Sequence, residues 1–491
     1  MLSPKPFSYR SPLIILLSLL TTCLLIACSS GGGDSDDDNN DSPSAPDPVD
    51  FIVTNRGDTA TSVGWEYSGE PGVSFVVEVE PTTPVAVPAP PTINMNGNGA
   101  MLSNLLSNVT YAINVRTHAA GQMSEAVSTQ ITPSPISSAS YTPISVGNDP
   151  SISGIFDPSF YRDDTGTIWM AYSGVDFYLS NGDLVQDVST RLARSDDNGA
   201  SFTLVTSLGN AGIATVTDVS ATLGCTNNVC DGRWVYEVPF LVDDIADPDT
   251  AARFKIFAHK YFLLPGANPS TIYFLGALVM WTAPTPDSAW SDETVVMQWN
   301  LSPPELSGGI NLNQLHTAIG DCIVFSEGGA SAGVVDNQNI IEFVFSCPYP
   351  DSSANTIRQR VVQLRSTDHG QTFTYVGIPL TAADALPAGA EHYSAPSLLP
   401  RIDAAPILLV TPVENGLYAG CKVFSYSDFS SADIARINGD PTPLLSVPQL
   451  ADHFGGACAW DREMDATGIS LNIFDINLSM PFTIQRSGHA L

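Results

Sequence analysis

Four carboxylates stand where short apolar runs begin or end: Asp157 in "FDPSFYRD", Glu237 in "YEVPFLVD", and Asp321 and Glu327 at the two ends of "GDCIVFSE". The first three are separated by 80 and 84 residues. If these runs are equivalent strands of a repeated unit, the acids open neighbouring copies of one strand and converge from different sides. Crowding then raises the pKa of at least one of them, so a protonated group can sit beside an ionised one. General acid–base chemistry needs that pairing, one group activating water and the other protonating a leaving atom. The sequence contains no G-x-S-x-G elbow, no Gly-rich phosphate loop and no H-E-x-x-H, so serine-hydrolase, nucleotide and zincin chemistries have no support.

A repeat does run through this region. "RSDDNGASF" (Arg194 to Phe202) returns as "RSTDHGQTF" (Arg365 to Phe373), with Ser195, Asp197, Gly199 and Phe202 matched by Ser366, Asp368, Gly370 and Phe373. The pattern is identified as an Asp box, the turn between the third and fourth strands of a propeller blade, which implies a structural role for both aspartates. Weaker copies follow at "TPDSAWS" (Thr285 to Ser291), "YSDFSSADI" (Tyr426 to Ile434) and "FDINLSMPF" (Phe474 to Phe482). With that phase, inner strands are expected at Asp157, Glu237, Asp321, Ser394 in "YSAPSLLP" and near Gly456 in "GGACAWDR". Second strands are expected at "TIWMAYS", "FKIFAHK", "IIEFVFS", "PILLVTP" and "GISLNIF". The resulting expectation for residues 144–491 is a five-bladed β-propeller.

The opening "GIFDPSFYRDDTGTIWMAYSG" resembles the first blade of glycoside hydrolase family 43. What the resemblance implies is a glycosidase with Asp157 as general base, Glu327 as general acid with Asp321 as its rival, and Glu237 as pKa modulator. An inverting enzyme of this kind holds its acid and base roughly 6.5–9.5 Å apart. The sequence departs from the family in its second blade, where Phe240 holds the place of an Asp, and in its third, where Glu327 precedes Gly-Gly in place of Gly-Pro. A six-bladed sialidase-like propeller is the alternative fold and an exo-sialidase an alternative activity, although "FYRDD" only half echoes the first-blade sialidase motif. A propeller that binds glycan or protein without turnover is the other reading.

Tyr161, Arg162, Trp234, Tyr236, His392 and Tyr393 are expected near the same rim, where they would stack on sugar faces or bond hydroxyls. His316, His392 and His453 precede the third, fourth and fifth inner strands. No redox or organic cofactor is required by this chemistry. A calcium ion at the channel centre beside a histidine is what the family resemblance adds, with no ligand set readable in the sequence.

The elements before the propeller position it in the cell. Residues 1–28 carry Lys5 and Arg10, then an apolar run closing in Leu25-Ile26-Ala27-Cys28, the order of a bacterial secretory signal. The closing residues resemble a lipobox, which implies lipidation of Cys28 and an outer-membrane anchor. Residues 29–50 read as a disordered acidic linker. Residues 51–135 alternate at period two, with Trp65 on an early strand and Leu105 or Leu106 shortly before Tyr111. This resembles a fibronectin type III domain, a β-sandwich with a tyrosine corner. The whole chain is thus expected to be all-β. Apart from Cys23 and Cys28, six cysteines remain, expected to pair as Cys225 with Cys230, Cys322 with Cys347 and Cys421 with Cys458. Fifty-one acidic against 19 basic residues, a formal charge of −32, argue against nucleic acid and anionic membrane surfaces as partners. Carbohydrate is the partner that the family resemblance implies. Neither the sugar nor the oligomeric state is legible.

Overall fold

The computed structural model describes residues 49–487, except 57–60, 67–72, 85–89, 134–140, 218–225, 265–275, 352–355, 400–406, 448–452, 462–467, 475–480 and some single or paired positions. The secretory signal, Cys28, the linker, Cys225 and most of "FDINLSMPF" lie outside the described residues.

The chain is almost entirely β. Its first part is a sandwich. One sheet runs Val49–Arg56, Thr61–Glu66, Gly99–Ser103, Thr92–Asn96, and the other sets Tyr111–Ala119 between Ser74–Pro81 and Val127–Ile131. Alternation explains the burial: Tyr111, Ile113 and Val115 point inward with Val63, Leu102 and Trp65. The Trp65 ring meets Phe75 edge-on at 5.2 Å. The Tyr111 hydroxyl accepts the Leu106 N–H at 2.8 Å, which ties the corner of the sandwich to its last long strand.

Beyond it, five mainly antiparallel sheets form a propeller, and each places one strand innermost: Gly154–Arg162, Val229–Asp243, Gly328–Val335, His392–Leu399 and Phe454–Asp461. Each inner strand packs against the next, and the fifth packs back on the first, so the ring closes. The short strand Thr142–Pro143 completes the fifth sheet by pairing with Thr483–Arg486. Chain segments far apart in sequence therefore share one sheet, which fastens the ring without a covalent bond. Between sheets the core is apolar, as in the Phe240, Phe257 and Phe343 stack, whose neighbouring centroids lie 5.2 Å apart.

The two strong repeats are turns of nearly identical geometry. Ser195 Oγ and Ser366 Oγ each accept a glycine N–H at 2.8 Å, from Gly199 and Gly370. Asp197 accepts the Ser201 N–H and Asp368 the Thr372 N–H, both at 2.9 Å. Phe202 and Phe373 close the turns by burying their rings. Both turns join third and fourth strands.

One inner strand departs from the sequence reading. The expected strand at Asp321 is not there: residues 322–325 carry no regular secondary structure, and the third inner strand begins after Glu327, at Gly328. The apolar run is explained by burial, because Cys322, Val324 and Phe325 pack among Trp299, Leu312, Phe343 and Phe345. A Cys322–Cys347 disulfide pins it to the second strand of that sheet, and a Cys421–Cys458 disulfide joins the fourth sheet to the fifth. Cys230 is disulfide-bonded as well.

Candidate active site

Four of the five inner strands break step at the same level. The register slips between Phe156 and Ser159, Glu237 and Phe240, Ser394 and Ser397, and Gly456 and Ala459. Each bulge holds one residue at positive φ: Asp157 at 54°, Val238 at 55°, Ala395 at 44° and Ala457 at 48°. That region is costly for residues with a Cβ, so something must hold each of them there. The holder is a polar group of the preceding sheet, which accepts the N–H that the bulge frees. Ser173 Oγ accepts from Val238 at 3.0 Å, Thr411 Oγ1 from Ala457 at 2.8 Å and Asn472 Oδ1 from Asp157 at 3.0 Å. The Glu327 carboxylate accepts from Ala395. Proline follows three of the four positive-φ residues, at 158, 239 and 396, where the missing N–H costs no ladder bond.

Asp157, Glu237 and Glu327 meet at this level of the ring and feel one another's charge. Asp157 and Glu237 are buried, and Glu327 is the most accessible of the three. Asp157 accepts the Asn472 amide at 3.0 Å and the Ser173 hydroxyl at 3.2 Å. The Tyr261 hydroxyl donates to Glu237 at 2.5 Å. Tyr418 and Ser394 donate to opposite oxygens of Glu327, the latter at 3.2 Å, and Ser394 also reaches Gln359 at 2.9 Å. Gly456 leaves room for this arrangement, since a Cβ there would lie 2.9 Å from the Tyr418 side chain.

Burial is the first cause of every pKa shift in the trio. It holds Asp157 well above the usual carboxylate range, the charges of Glu237 and Glu327 push the same way, and the Asn472 and Ser173 donors oppose them. Glu237 is pushed up to about 7 by burial and the Glu327 charge against the Tyr261 hydrogen bond. Glu327 is raised by burial against its three donors. Burial and mutual charge thus favour the protonated form of these carboxyls, so a protonated group can sit beside an ionised one. His259, opposite Glu237 in the register, is held neutral by burial, its pKa lowered to about 3.

Asp321 does not join the trio. It lies exposed on the coil before the third inner strand and ion-pairs with Arg360. The expected sugar-binding side chains are mostly spent on packing. Tyr161 donates to Asp243 at 2.6 Å and meets Phe254 edge-on, and Arg162 bonds Asn198 beside the first repeat turn, at the other end of its strand from Asp157. Trp234 packs on Phe262, Tyr236 on Trp281 and Tyr393 on Phe424, with centroids 5.1, 5.9 and 5.6 Å apart. His392 is buried at the start of the fourth inner strand, two residues before Ser394, and burial followed by the Arg358 charge lowers its pKa to about 4. His316 stacks on Tyr375 at 4.2 Å, and its Nδ1 accepts the Ala318 N–H. Ser173, Tyr261, Ser394, Tyr418 and Asn472 are the residues that sequence reasoning missed. Only the X-Pro pairs inside three inner strands, which mark bulges, could have pointed to their level.

Among the described residues one set has the geometry to hold a cation: Asp244, Asp247 and His369. Its positive charge is already supplied by Lys255, whose Nζ lies 3.2 Å from Asp244 and 2.6 Å from Asp247. The set clasps the second sheet to the turn of the third, away from the trio.

Residues 44–130 match the family Fibronectin type III domain. No curated protein matches the chain. Similar solved structures include an alpha-L-arabinofuranosidase from Lactobacillus brevis, 10% identical with a TM-score of 0.39, covering 68% of this chain and 91% of that one. The NanB sialidase from Streptococcus pneumoniae is 8% identical with a TM-score of 0.37, covering 77% of this chain and 82% of its own. Zg3597, a family 117 glycoside hydrolase from the marine bacterium Zobellia galactanivorans, is 11% identical with a TM-score of 0.36, covering 70% of this chain and 88% of its own.

Proposed function

We propose that the protein is a glycoside hydrolase of the family 43 type on a five-bladed propeller, held at the bacterial outer membrane by a lipid on Cys28. The observation that carries this reading is the convergence of Asp157, Glu237 and Glu327, from three consecutive sheets, on one ring of buried hydrogen-bond donors. In the mechanism, Asp157 takes a proton from the attacking water as that water bonds to the anomeric carbon. Glu327, the most accessible member, gives its proton to the departing glycosidic oxygen. Glu237 holds the pKa of Asp157 up through its own charge.

A neutral sugar suits the site better than a sialic acid. Sialidases face their substrate carboxylate with three arginines, whereas among the described residues of this propeller Arg191, Arg194, Arg233, Arg253, Arg358, Arg360, Arg365 and Arg436 are each ion-paired with an Asp or Glu, and Arg162 and Arg486 bond Asn198 and the Gly199 carbonyl. The test is incubation of the purified protein with neutral plant and algal polysaccharides, aryl glycosides and sialyl-lactose, with products read by mass spectrometry. Release of a neutral sugar supports the reading. Release of sialic acid, or binding with no release from any substrate, would overturn it.

A further inference from the structure

We propose that Asn472 is the positioning residue of Asp157, acting on its backbone and its carboxylate through the two ends of one amide. The inference rests on Asp157 being a reacting group. Asn472 lies on the second strand of the fifth sheet, buried and 315 residues from Asp157 in sequence. Its Oδ1 accepts the Asp157 N–H at 3.0 Å, and its Nδ2 donates to Asp157 Oδ1 at 3.0 Å.

The direction of this amide is forced. A backbone N–H can only donate, so the amide oxygen must face it, and the NH2 group is thereby turned to the carboxylate. No other latch in the ring does both. Ser173 and Thr411 use a hydroxyl to accept from Val238 and Ala457, and neither of those residues carries a polar side chain. The first bulge is the one whose positive-φ residue is an acid, and it is the one latched by an amide. Asn472 therefore holds Asp157 in its left-handed backbone, aims Oδ1, and favours its ionised form. The titratable groups facing Asp157 are Glu237 on the second inner strand and Glu327 ahead of the third, both acidic. The first and fifth sheets contribute the non-titrating Ser173 and Asn472. The Asn472 donor is thus a counterweight to two like charges.

Asn472→Asp keeps the acceptor for the backbone and turns the donor into a third negative neighbour. A purely structural latch tolerates this change, whereas a positioning residue does not. The expected result is a rise of about one pH unit or more in the acidic limb of kcat/KM, with about a tenfold loss of rate near neutrality. Thr411→Val, which removes a latch that touches no carboxylate, should lower stability and leave that limb in place. A second arm needs no turnover. The melting temperature of Asn472→Asp should fall more steeply than wild type as pH rises from 5 to 8, and the extra fall should shrink when Asp157→Asn is added, the remainder being the titration of the buried carboxyl introduced at position 472 itself. If Asn472→Asp does not fold, Asn472→Ser, which offers the acceptor that Ser173 offers to Val238, enters both arms with the same expected direction. Unshifted profiles in both arms would overturn the proposal. Absence of turnover in the wild type, with the melting arm intact, would count against the glycosidase and not against the Asn472–Asp157 pair.

Discussion

Replacing Glu237 by Gln should make the propeller less sensitive to alkali. Buried beside Glu327, Glu237 has its pKa raised from an ordinary 4.5 to about 7, so over that interval the folded chain keeps a proton that the unfolded chain has released. A group that binds its proton more tightly when folded stabilises the fold below its unfolded pKa and withdraws that stability as pH rises through its folded pKa. At 1.36 kcal/mol per pH unit, the loss between pH 4.5 and 8 from this one group is about 3 kcal/mol. Asp157, raised for the same reasons, adds to it with the same sign. Gln fits the place of Glu237 and its carbonyl can still accept the Tyr261 hydroxyl, so little packing is lost. Urea unfolding at pH 4.5, 6, 7 and 8, following the propeller transition separately from the sandwich, should show wild type losing about 3 kcal/mol more than Glu237→Gln across the series. Parallel pH dependences, or a wild type that gains stability toward pH 8, would refute the reasoning that three buried carboxylates strain one another.

Other outcomes follow from the same geometry. Asp321→Asn should leave glycan release and its pH profile unchanged, because its partner is Arg360, on the third strand of the third sheet, and not a member of the trio. A loss of rate would return Asp321 to the site. Tyr418→Phe removes a donor from Glu327 and should raise that group's pKa, moving the basic limb of kcat/KM up by about one pH unit. Asp368→Ala should cost about 1–2 kcal/mol in urea unfolding and leave kcat intact, since its carboxylate bonds only its own turn.

Much of the architecture was legible because a propeller repeats itself. The paired turns at Asp197 and Asp368 gave the phase, and alternating apolar runs then located four of the inner strands and all the second strands. The third inner strand was misplaced because Cys322 to Phe325 is apolar for a different reason: it fills the core as coil beside a disulfide. Of the trio, the carboxylates were visible as acids beside strand runs. Their surroundings were not, since Ser173, Tyr261, Tyr418 and Asn472 come from other strands and have no local pattern that sets them apart from ordinary β residues. The aromatic side chains failed as rim markers because Tyr161, Trp234, Tyr236 and Tyr393 pack against other rings, and aromatic content alone does not separate packing from display.

The first measurement is product release by wild type, Asp157→Asn and Glu327→Gln on neutral polysaccharides and on an aryl glycoside whose leaving group needs no proton. Release by wild type, abolition by Asp157→Asn on every substrate, and retention by Glu327→Gln on the activated aryl glycoside alone are the expected results. Equal release by all three proteins, or none by wild type alongside retained glycan binding, would contradict a carboxylate-driven glycosidase at the centre of this ring.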